Sequence, residues 1–461
     1  MKAIRDPDHV LAAGLAAIRL QFQVPAHFPP AVVAAAEQAA RRPLSAHRDR
    51  TDERFVTLDP ASSTDLDQAF AIEADGADLI LHYAIADVGW FVEQGGVIDV
   101  EAWQRGTTLY LPDGKAGLYP PVLAEGAASL LSDGPRPAVV FRVRVDQAGK
   151  SRLDGAERAI IRSRAKLAYA TATEAELPPG FADIAHRIEA AEAARGAARV
   201  DPPEQEVAAL GEGRFELVFR PRHLSESRNA ALSLAANLAV ADALLAHRTG
   251  LFRVMPAPEA WAVKRLRMTA KALNLDWPDA TTLTDYERTL DPAYPAHAAL
   301  MIAIRRAGQG ASYVAFADGK VPWHMAMAAT YAHATAPLRR LADRYVVEAA
   351  LAIATGRPVP DAVSAAFVRL PKVMARADAA AAQVERAAID LAEAVMLDGR
   401  EGEVFEAVVT DEDERGVRIQ LCAVPVVARV VAHKVEPGDM LRVKLVEANP
   451  ATRSLAFARF T

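Results

Sequence analysis

The sequence predicts an α+β chain, and three observations carry the prediction. Residues 54–165 hold strand-like apolar runs cut by turn signals. From about 180 to 400 the apolar residues recur with a spacing near 3.6. Residues 402–461 return to short strands. At 461 residues the chain exceeds what one hydrophobic core usually supports, so two or three domains are expected.

The elements follow in order. Residues 1–50 are Ala-rich and helical in pattern; VPAHFPP (24–30) breaks the run and PPAVVAAAEQAARR restarts it. Proline suits a helix start because its missing N–H would have had no partner there. From Arg54, the runs RFVTLD, AFAIEA, LILHYAIADV and PAVVFRVRVD are separated by Asp-Gly turns at 75–76, 113–114 and 133–134. AALSLAANLAVADALLAHR and VERAAIDLAEAVML then read as helices. The last sixty residues form roughly five short strands, which match a small β-barrel of the OB type. Arg418, Arg429, Lys434, Arg442, Lys444 and Arg453 stud it with positive charge. The expected division is a helical region over 1–50, a large α+β domain over 51–400 and a barrel over 401–461.

Composition bounds the function. With 51% apolar and 24% charged residues the chain is an ordinary globular protein. A net charge of −6 excludes a general polyanion binder, so any nucleic-acid site is a local basic track. The single cysteine, Cys422, forms no internal disulfide, which fits a reducing compartment. The N-terminus lacks the layout of a signal peptide, and no run of about 18 uninterrupted apolar residues exists. A soluble cytoplasmic chain without a membrane span is expected.

The segment LDPASSTDLDQAF (58–70) gathers Asp59, Asp65 and Asp67 within nine positions. Close carboxylates repel one another and raise each other's pKa unless a cation neutralises them. Oxygen-only ligands suit magnesium or manganese more than zinc. Such a cation, held by one or two carboxylates and substrate phosphate, serves phosphodiester cleavage. A solvated Asp/Ser turn is the competing reading. A calcium loop lacks its glycine and its final bidentate Glu here.

Longer blocks extend the motif. FVTLDPASSTDLDQAF and LHYAIADVGWFV are followed by RGTTLYLPDGKAGLYPPVLAEGAASLL (105–131) and RSRAKLAYA (162–170). LAANLAVADALL (234–245) and YAHATAPLRRLADRY (331–345) come later. In this order, across roughly residues 50–400 and followed by a small barrel, the chain resembles the ribonuclease II (RNB) family. The resemblance implies a large RNB-type catalytic domain with a C-terminal OB-fold barrel. It implies a 3′-to-5′ exoribonuclease that threads single-stranded RNA, works as a monomer and releases nucleoside 5′-monophosphates with magnesium.

Matched residue by residue, Asp59, Asp65 and Asp67 fall on three metal-site acids of the family, with Asp67 the indispensable one. Gln68 replaces the fourth and offers only a neutral oxygen; Asp87 is a candidate to compensate, a turn residue being the equal alternative. In TAPLRR, Thr335, Arg339 and Arg340 match a family segment. Paired guanidinium forks suit phosphodiester oxygens, and sequence does not separate the two arginines; the alternative is that one of them pairs with Asp343. Tyr169 matches a base-stacking tyrosine, a core position being the alternative by residue type. Lys166 in the same segment is a candidate phosphate contact, a solvated Lys being the alternative. Phe252 stands where relatives often place another aromatic, core packing being the equal alternative. Asn237 matches a structural asparagine, and Arg386 lies near a late family arginine.

The chain also departs from the pattern. Fifty helical residues stand where typical members have two cold-shock domains, so weaker capture of long strands and a more open entrance are expected. Two rivals remain: an RNA-binding protein on a weakened scaffold, motivated by Gln68, and an enzyme acting on DNA.

Overall fold

The computed structural model describes residues 10–197, 204–211, 214–220, 222–291, 294–308, 310–413, 416–436 and 438–460. Helices α1 (Val10–Gln21) and α2 (Pro30–Ala40) come first, with Pro30 in the first turn of α2 as its missing N–H favours.

The β-rich stretch supplies a seven-stranded sheet. Its strands are β1 (Arg48–Asp49), β2 (Phe55–Asp59), β3 (Gln68–Asp75) and β4 (Asp78–Ala86). Short helices α3 (Val88–Phe91) and α4 (Val97–Arg105) then lead to a hairpin, β5 (Leu109–Leu111) and β6 (Gly114–Ala116). The sheet resumes with β7 (Arg136–Val145), β8 (Ser151–Ile161) and β9 (Ser163–Ala168). The spatial order is β1-β8-β7-β4-β3-β2-β9.

Strand β4 is buried along almost its whole length, which explains its near-continuous apolar run LILHYAIA. The Asp-Gly turn predicted at 75–76 joins β3 to β4, with Asp75 paired to Asp78 and Gly76 at φ 62°. At the opposite edge β2 pairs in parallel with β9, so Asp59 lies opposite Ala168 and one residue from Tyr169. That pairing begins the site.

The central block contains more strands than its helical period predicts. After α5 (Phe181–Ala194) comes the hairpin β10 (Glu204–Gly211) and β11 (Arg214–Arg220), then α6 (Leu224–Ala246). Strand β12 (Leu251–Val254) is followed by α7 (Ala260–Ala272), α8 (Leu283–Glu287) and α9 (Pro295–Ala307). Strands β13 (Ser312–Ala315), β14 (Trp323–His324) and β15 (Ala329–Thr330) are two to four residues long. Pieces so short show no period, and β12 finds β13 only after three helices have intervened. Helix α6 is a core helix, burying Leu232, Leu234, Val240 and Leu244, while its Asn229, Ser233 and Asn237 reach polar partners at the site.

Helix α10 (Leu341–Ala354) lies against β8, and α11 (Asp361–Leu397) runs on to the C-terminal strands. Those are β16 (Val404–Asp413), β17 (Gly416–Leu421), β18 (Val427–Val431), β19 (Met440–Asn449) and β20 (Ser454–Arg459). They close in the order β16-β17-β18-β20-β19 around Val409, Ile419, Val443 and Leu445. Closure leaves no unpaired edge. The expected α+β architecture with a five-stranded C-terminal barrel is what the chain adopts. Glu393 of α11 fastens the barrel, its carboxylate accepting the Val427 N–H at 2.8 Å and the Gln205 amide at 2.7 Å.

Candidate active site

The acids sit where β2 ends and β3 begins. Asp59 is the last residue of β2 and Gln68 the first of β3, so the intervening loop carries Asp65 and Asp67. The loop is exposed over most of residues 60–64 but turns inward at its acidic end, where Leu66 is buried and Asp67 is 4% exposed. Its ends are fixed from the sheet and from the far wall. The Asp67 carbonyl accepts the Ala86 N–H at 2.9 Å, and the Ser129 hydroxyl receives the Leu66 N–H at 2.9 Å.

The segment Thr335–Arg340 comes to meet it. Leu338 donates its backbone N–H to Asp67 Oδ1 at 2.7 Å, and Arg339 Nε lies 3.4 Å from Asp67 Oδ2. The bend around Pro337 is held from three sides. Asp343, fully buried, accepts the Ala336 N–H at 2.8 Å, Asn237 accepts the Ala334 N–H at 2.9 Å, and the Arg339 carbonyl accepts the Thr108 N–H at 3.0 Å.

The structure separates the two arginines. Arg340 grips Asp343 through Nε at 2.9 Å and through a terminal nitrogen at 2.8 Å, so its fork is committed to the fold. A phosphate-binding role for Arg340 is thereby corrected to a structural one. Arg339 has a side chain 45% exposed beside Asp67, and it is the guanidinium that faces the site.

Burial pushes the Asp67 carboxyl up to about 8, with Asp343 and Asp65 adding to the rise while Arg339 and the Leu338 N–H oppose it. Asp59 is pushed up to about 6, again mainly by burial; Arg339 and Lys166 oppose the rise and Asp65 adds to it. Desolvated carboxylates with raised pKa values are sites at which a bound cation gains most.

Asp65 is differently placed. Its Oδ1 accepts Lys115 Nζ at 2.7 Å and its Oδ2 accepts the Tyr110 hydroxyl at 3.0 Å. Gln68 is also engaged: its side-chain carbonyl accepts hydroxyls from Tyr83 and, at 2.9 Å, from Ser233. Assignment of Gln68 as a metal ligand is corrected on that ground: its neutral oxygen is drawn into a cluster with the Tyr83 and Ser233 hydroxyls, which also bond each other at 2.6 Å. Among the described residues no three His, Cys, Asp or Glu side chains converge closely enough to enclose an ion. Magnesium does not need three: it is commonly held by one or two carboxylates with water and substrate phosphate. Asp59 and Asp67 fit that pattern.

The expected RNA contacts divide. Tyr169 is half-buried, donates its N–H to the Asp59 carbonyl at 3.2 Å and accepts the Asn229 amide on its hydroxyl at 3.2 Å. Its phenol is pushed up to about 12, chiefly by burial and then by Asp59, so it stays neutral. Lys166 is exposed and donates to the Ala61 carbonyl at 3.0 Å, on the rim of the acidic loop. Thr335 is buried, its hydroxyl accepting from Asn237 at 3.4 Å, so it shapes the bend and does not touch a ligand. Phe252 is fully buried in the core and offers no face for a base. Both are corrected to structural roles.

Asp87 does not compensate for Gln68. It is 2% exposed, caps α3 through the Trp90 N–H, and pairs with His47 at 3.0 Å and Arg158 at 2.7 Å. Arg386 pairs with Asp390 at 2.8 Å and lines a cleft against the barrel with Arg418 and Val427. The residues that sequence reasoning passed over are Lys115, Tyr110, Tyr83 and Ser233. The signal for the first two was the Asp-Gly turn at 113–114, which predicts a hairpin without saying which wall it faces.

Comparison with known proteins places the chain in a family. Residues 47–354 match the family model of the RNB domain, and residues 403–460 match that of the RNase II-type exonuclease C-terminal S1 domain. Ribonuclease R of Thermotoga maritima is 24% identical over 432 residues, which cover 86% of this chain and 60% of that relative. The chain therefore spans less than two thirds of that protein's length. Among solved structures, Mycoplasma genitalium RNase R in complex with ribose-methylated single-stranded RNA has a TM-score of 0.86 at 20% identity, covering 100% of this chain and 79% of that one. Yeast Ssd1, described as a pseudonuclease, has a TM-score of 0.70 at 17% identity, covering 96% and 57%.

Proposed function

This chain belongs to the RNB family, and on that premise we propose that it hydrolyses single-stranded RNA from the 3′ end, releasing nucleoside 5′-monophosphates with the help of magnesium or manganese. The observation that carries the reading is the buried Asp67 carboxylate beside the half-exposed Arg339 guanidinium, 3.4 Å apart at the end of a loop fixed by Leu338. An acid and a phosphate-binding cation side by side are what cleavage of a phosphodiester requires.

Asp59 and Asp67 are the residues that would hold the cation. When bound, a hard divalent ion supplies charge neutralisation and lowers the pKa of a coordinated water. The chain's own groups do the rest. Arg339 donates N–H bonds to the non-bridging oxygens of the scissile phosphate and offsets charge that grows as the bond breaks. Tyr169, held by Asn229 one residue beyond the partner of Asp59, stacks on a terminal base and so accepts any sequence. Lys166 on the rim meets a neighbouring phosphate. The barrel's basic residues extend the track for the incoming strand.

The test is a 5′-labelled single-stranded RNA incubated with magnesium and resolved as a ladder. Shortening from the 3′ end is the expected result, and binding without shortening overturns it. The second reading, RNA binding without cleavage, is favoured by one observation: Gln68 is neutral and its oxygen is used by Tyr83 and Ser233. A matching DNA oligonucleotide tests selection for the sugar 2′-hydroxyl. Size-exclusion chromatography with light scattering tests the proposed monomer, and fractionation of cells tests a cytoplasmic location.

A further inference from the structure

Lys115 stands in the acidic site without a role in the reading above. The hairpin β5–β6 pairs Tyr110 directly with Lys115, and the two side chains reach the same carboxylate from across the ladder. Tyr110 donates to Oδ2 of Asp65 at 3.0 Å and Lys115 donates to Oδ1 at 2.7 Å. The ammonium also lies 3.3 Å from Glu125 Oε1 and 3.3 Å from Thr64 Oγ1. Lys115 is 22% exposed and Asp65 10%, so the pair is shielded from bulk water on most sides.

The hairpin does not sway there by chance. Leu109, Leu111 and Ala116 pack with Leu11 and Leu15 of α1 and with Val384 and Leu391 of α11. Arg19 of α1 reaches over to Asp113 in the turn, with 2.8 Å between nitrogen and oxygen. The N-terminal helix and the long α11 thus hold Lys115 against Asp65.

We propose that Lys115 is a built-in cation of this centre, occupying the position at Asp65 that a second divalent ion would take and so limiting the site to one bound metal ion. The inference rests on the nuclease reading above for its setting. Charge agrees with it. With every carboxylate ionised, as a bound cation requires, Asp59, Asp65, Asp67 and Glu125 face Lys115, Lys166 and Arg339, which leaves one net negative charge. One divalent ion and one phosphodiester then bring the site to neutrality, whereas a second divalent ion has no counter-charge. Coordination agrees as well. With Gln68 neutral and tied to two hydroxyls, Asp65 is the loop carboxylate left to hold a second ion, and each of its oxygens already faces a donor of this chain. The ammonium, 2.7 Å from Asp65 Oδ1 and 3.3 Å from Glu125 Oε1, puts a positive charge where a second divalent ion would sit, and like charges there repel.

The test measures manganese binding to the full chain, by calorimetry and by the electron paramagnetic resonance of the bound ion, without RNA. Wild type is expected to bind one ion. Lys115→Met is expected to bind two, and the closely spaced pair gives a spin-coupled spectrum that a merely structural lysine would not control. Lys115→Arg restores a single ion, and adding Asp65→Asn to Lys115→Met also returns the count to one. Circular dichroism checks each fold, and Lys115→Gln replaces the Met variant should that one fail to fold. Two ions in the wild type, or one ion in both the Met and Gln variants, overturns the proposal. The labelled-RNA ladder is scored separately: cleavage by a protein whose ion count ignores Lys115 sinks this inference and leaves the nuclease reading standing. A ladder that never forms, with the count still set by Lys115, does the reverse.

Discussion

Asp67 Oδ1 accepts the backbone N–H of Leu338 at 2.7 Å, joining two loops 271 positions apart in the chain. The bond does two things at once. It aims the second carboxylate oxygen at Arg339, and it seats the arginine segment over the end of the sheet. It is the direct tie between the acidic loop and the arginine loop, each of which is also held from its own side.

Asp67→Asn separates charge from shape. The amide oxygen still accepts from Leu338, so the fold and RNA affinity stay within about threefold of wild type. Cleavage falls on the order of 10³-fold, the scale of losing one preorganised electrostatic group. Single-turnover digestion of labelled RNA, with a parallel binding isotherm, is the measurement; a rate near wild type removes Asp67 from the chemistry.

The two arginines are expected to fail in different ways. Arg339→Ala lowers the cleavage rate while the melting temperature moves little, because its side chain is 45% exposed and its charge serves the substrate. Arg340→Ala leaves the fully buried Asp343 without its partner and costs roughly 3 kcal/mol of stability. Urea titrations and initial rates on both variants decide it. The opposite pattern assigns the phosphate to Arg340.

Tyr169→Phe keeps the ring and loses only the hydrogen bond from Asn229, so KM for RNA is expected to stay near wild type. Tyr169→Ala removes a stacking platform worth about 1–3 kcal/mol per base, raising KM by roughly tenfold and changing the length at which digestion stops. End-product sizing on a gel reads both effects. If alanine changes neither, Tyr169 belongs to the core alone.

Glu393 predicts a pH dependence of barrel attachment. Burial pushes its carboxyl up to about 7, opposed by the Val427 N–H and the Gln205 amide and by Arg386, with Asp390 adding to the rise. Between its ordinary range near 4.5 and about 7 the native state therefore binds more protons than the unfolded one. Stability contributed by the group is present below that window and is lost as pH rises through it. Glu393→Gln, which needs no proton, should melt higher than wild type at pH 8 and show little advantage at pH 5. Calorimetric scans at the two pH values test this, and a pH-independent difference refutes it.

Much of this was legible before any coordinates. The Asp-Gly turns, the proline-started helix, the alternation that closes the barrel and the spacing of the acids are all local, and local chemistry sets them. Short strands such as β12 and β14 were not legible, because their pairing partners are distant and their length too small to show a period.

The order of residues along the chain was enough to name the acids, the arginine pair and the α+β architecture, since each is written in neighbouring positions. It singled out Asp67 among the acids by resemblance but did not separate the two arginines or show what each side chain touches. Burial and long-range partners made Asp67 the desolvated carboxylate, committed Arg340 to Asp343, hid Phe252 in the core and placed Lys115 on Asp65. A side chain's charge state and reach depend on what surrounds it in space, and those surroundings come from segments up to hundreds of positions away.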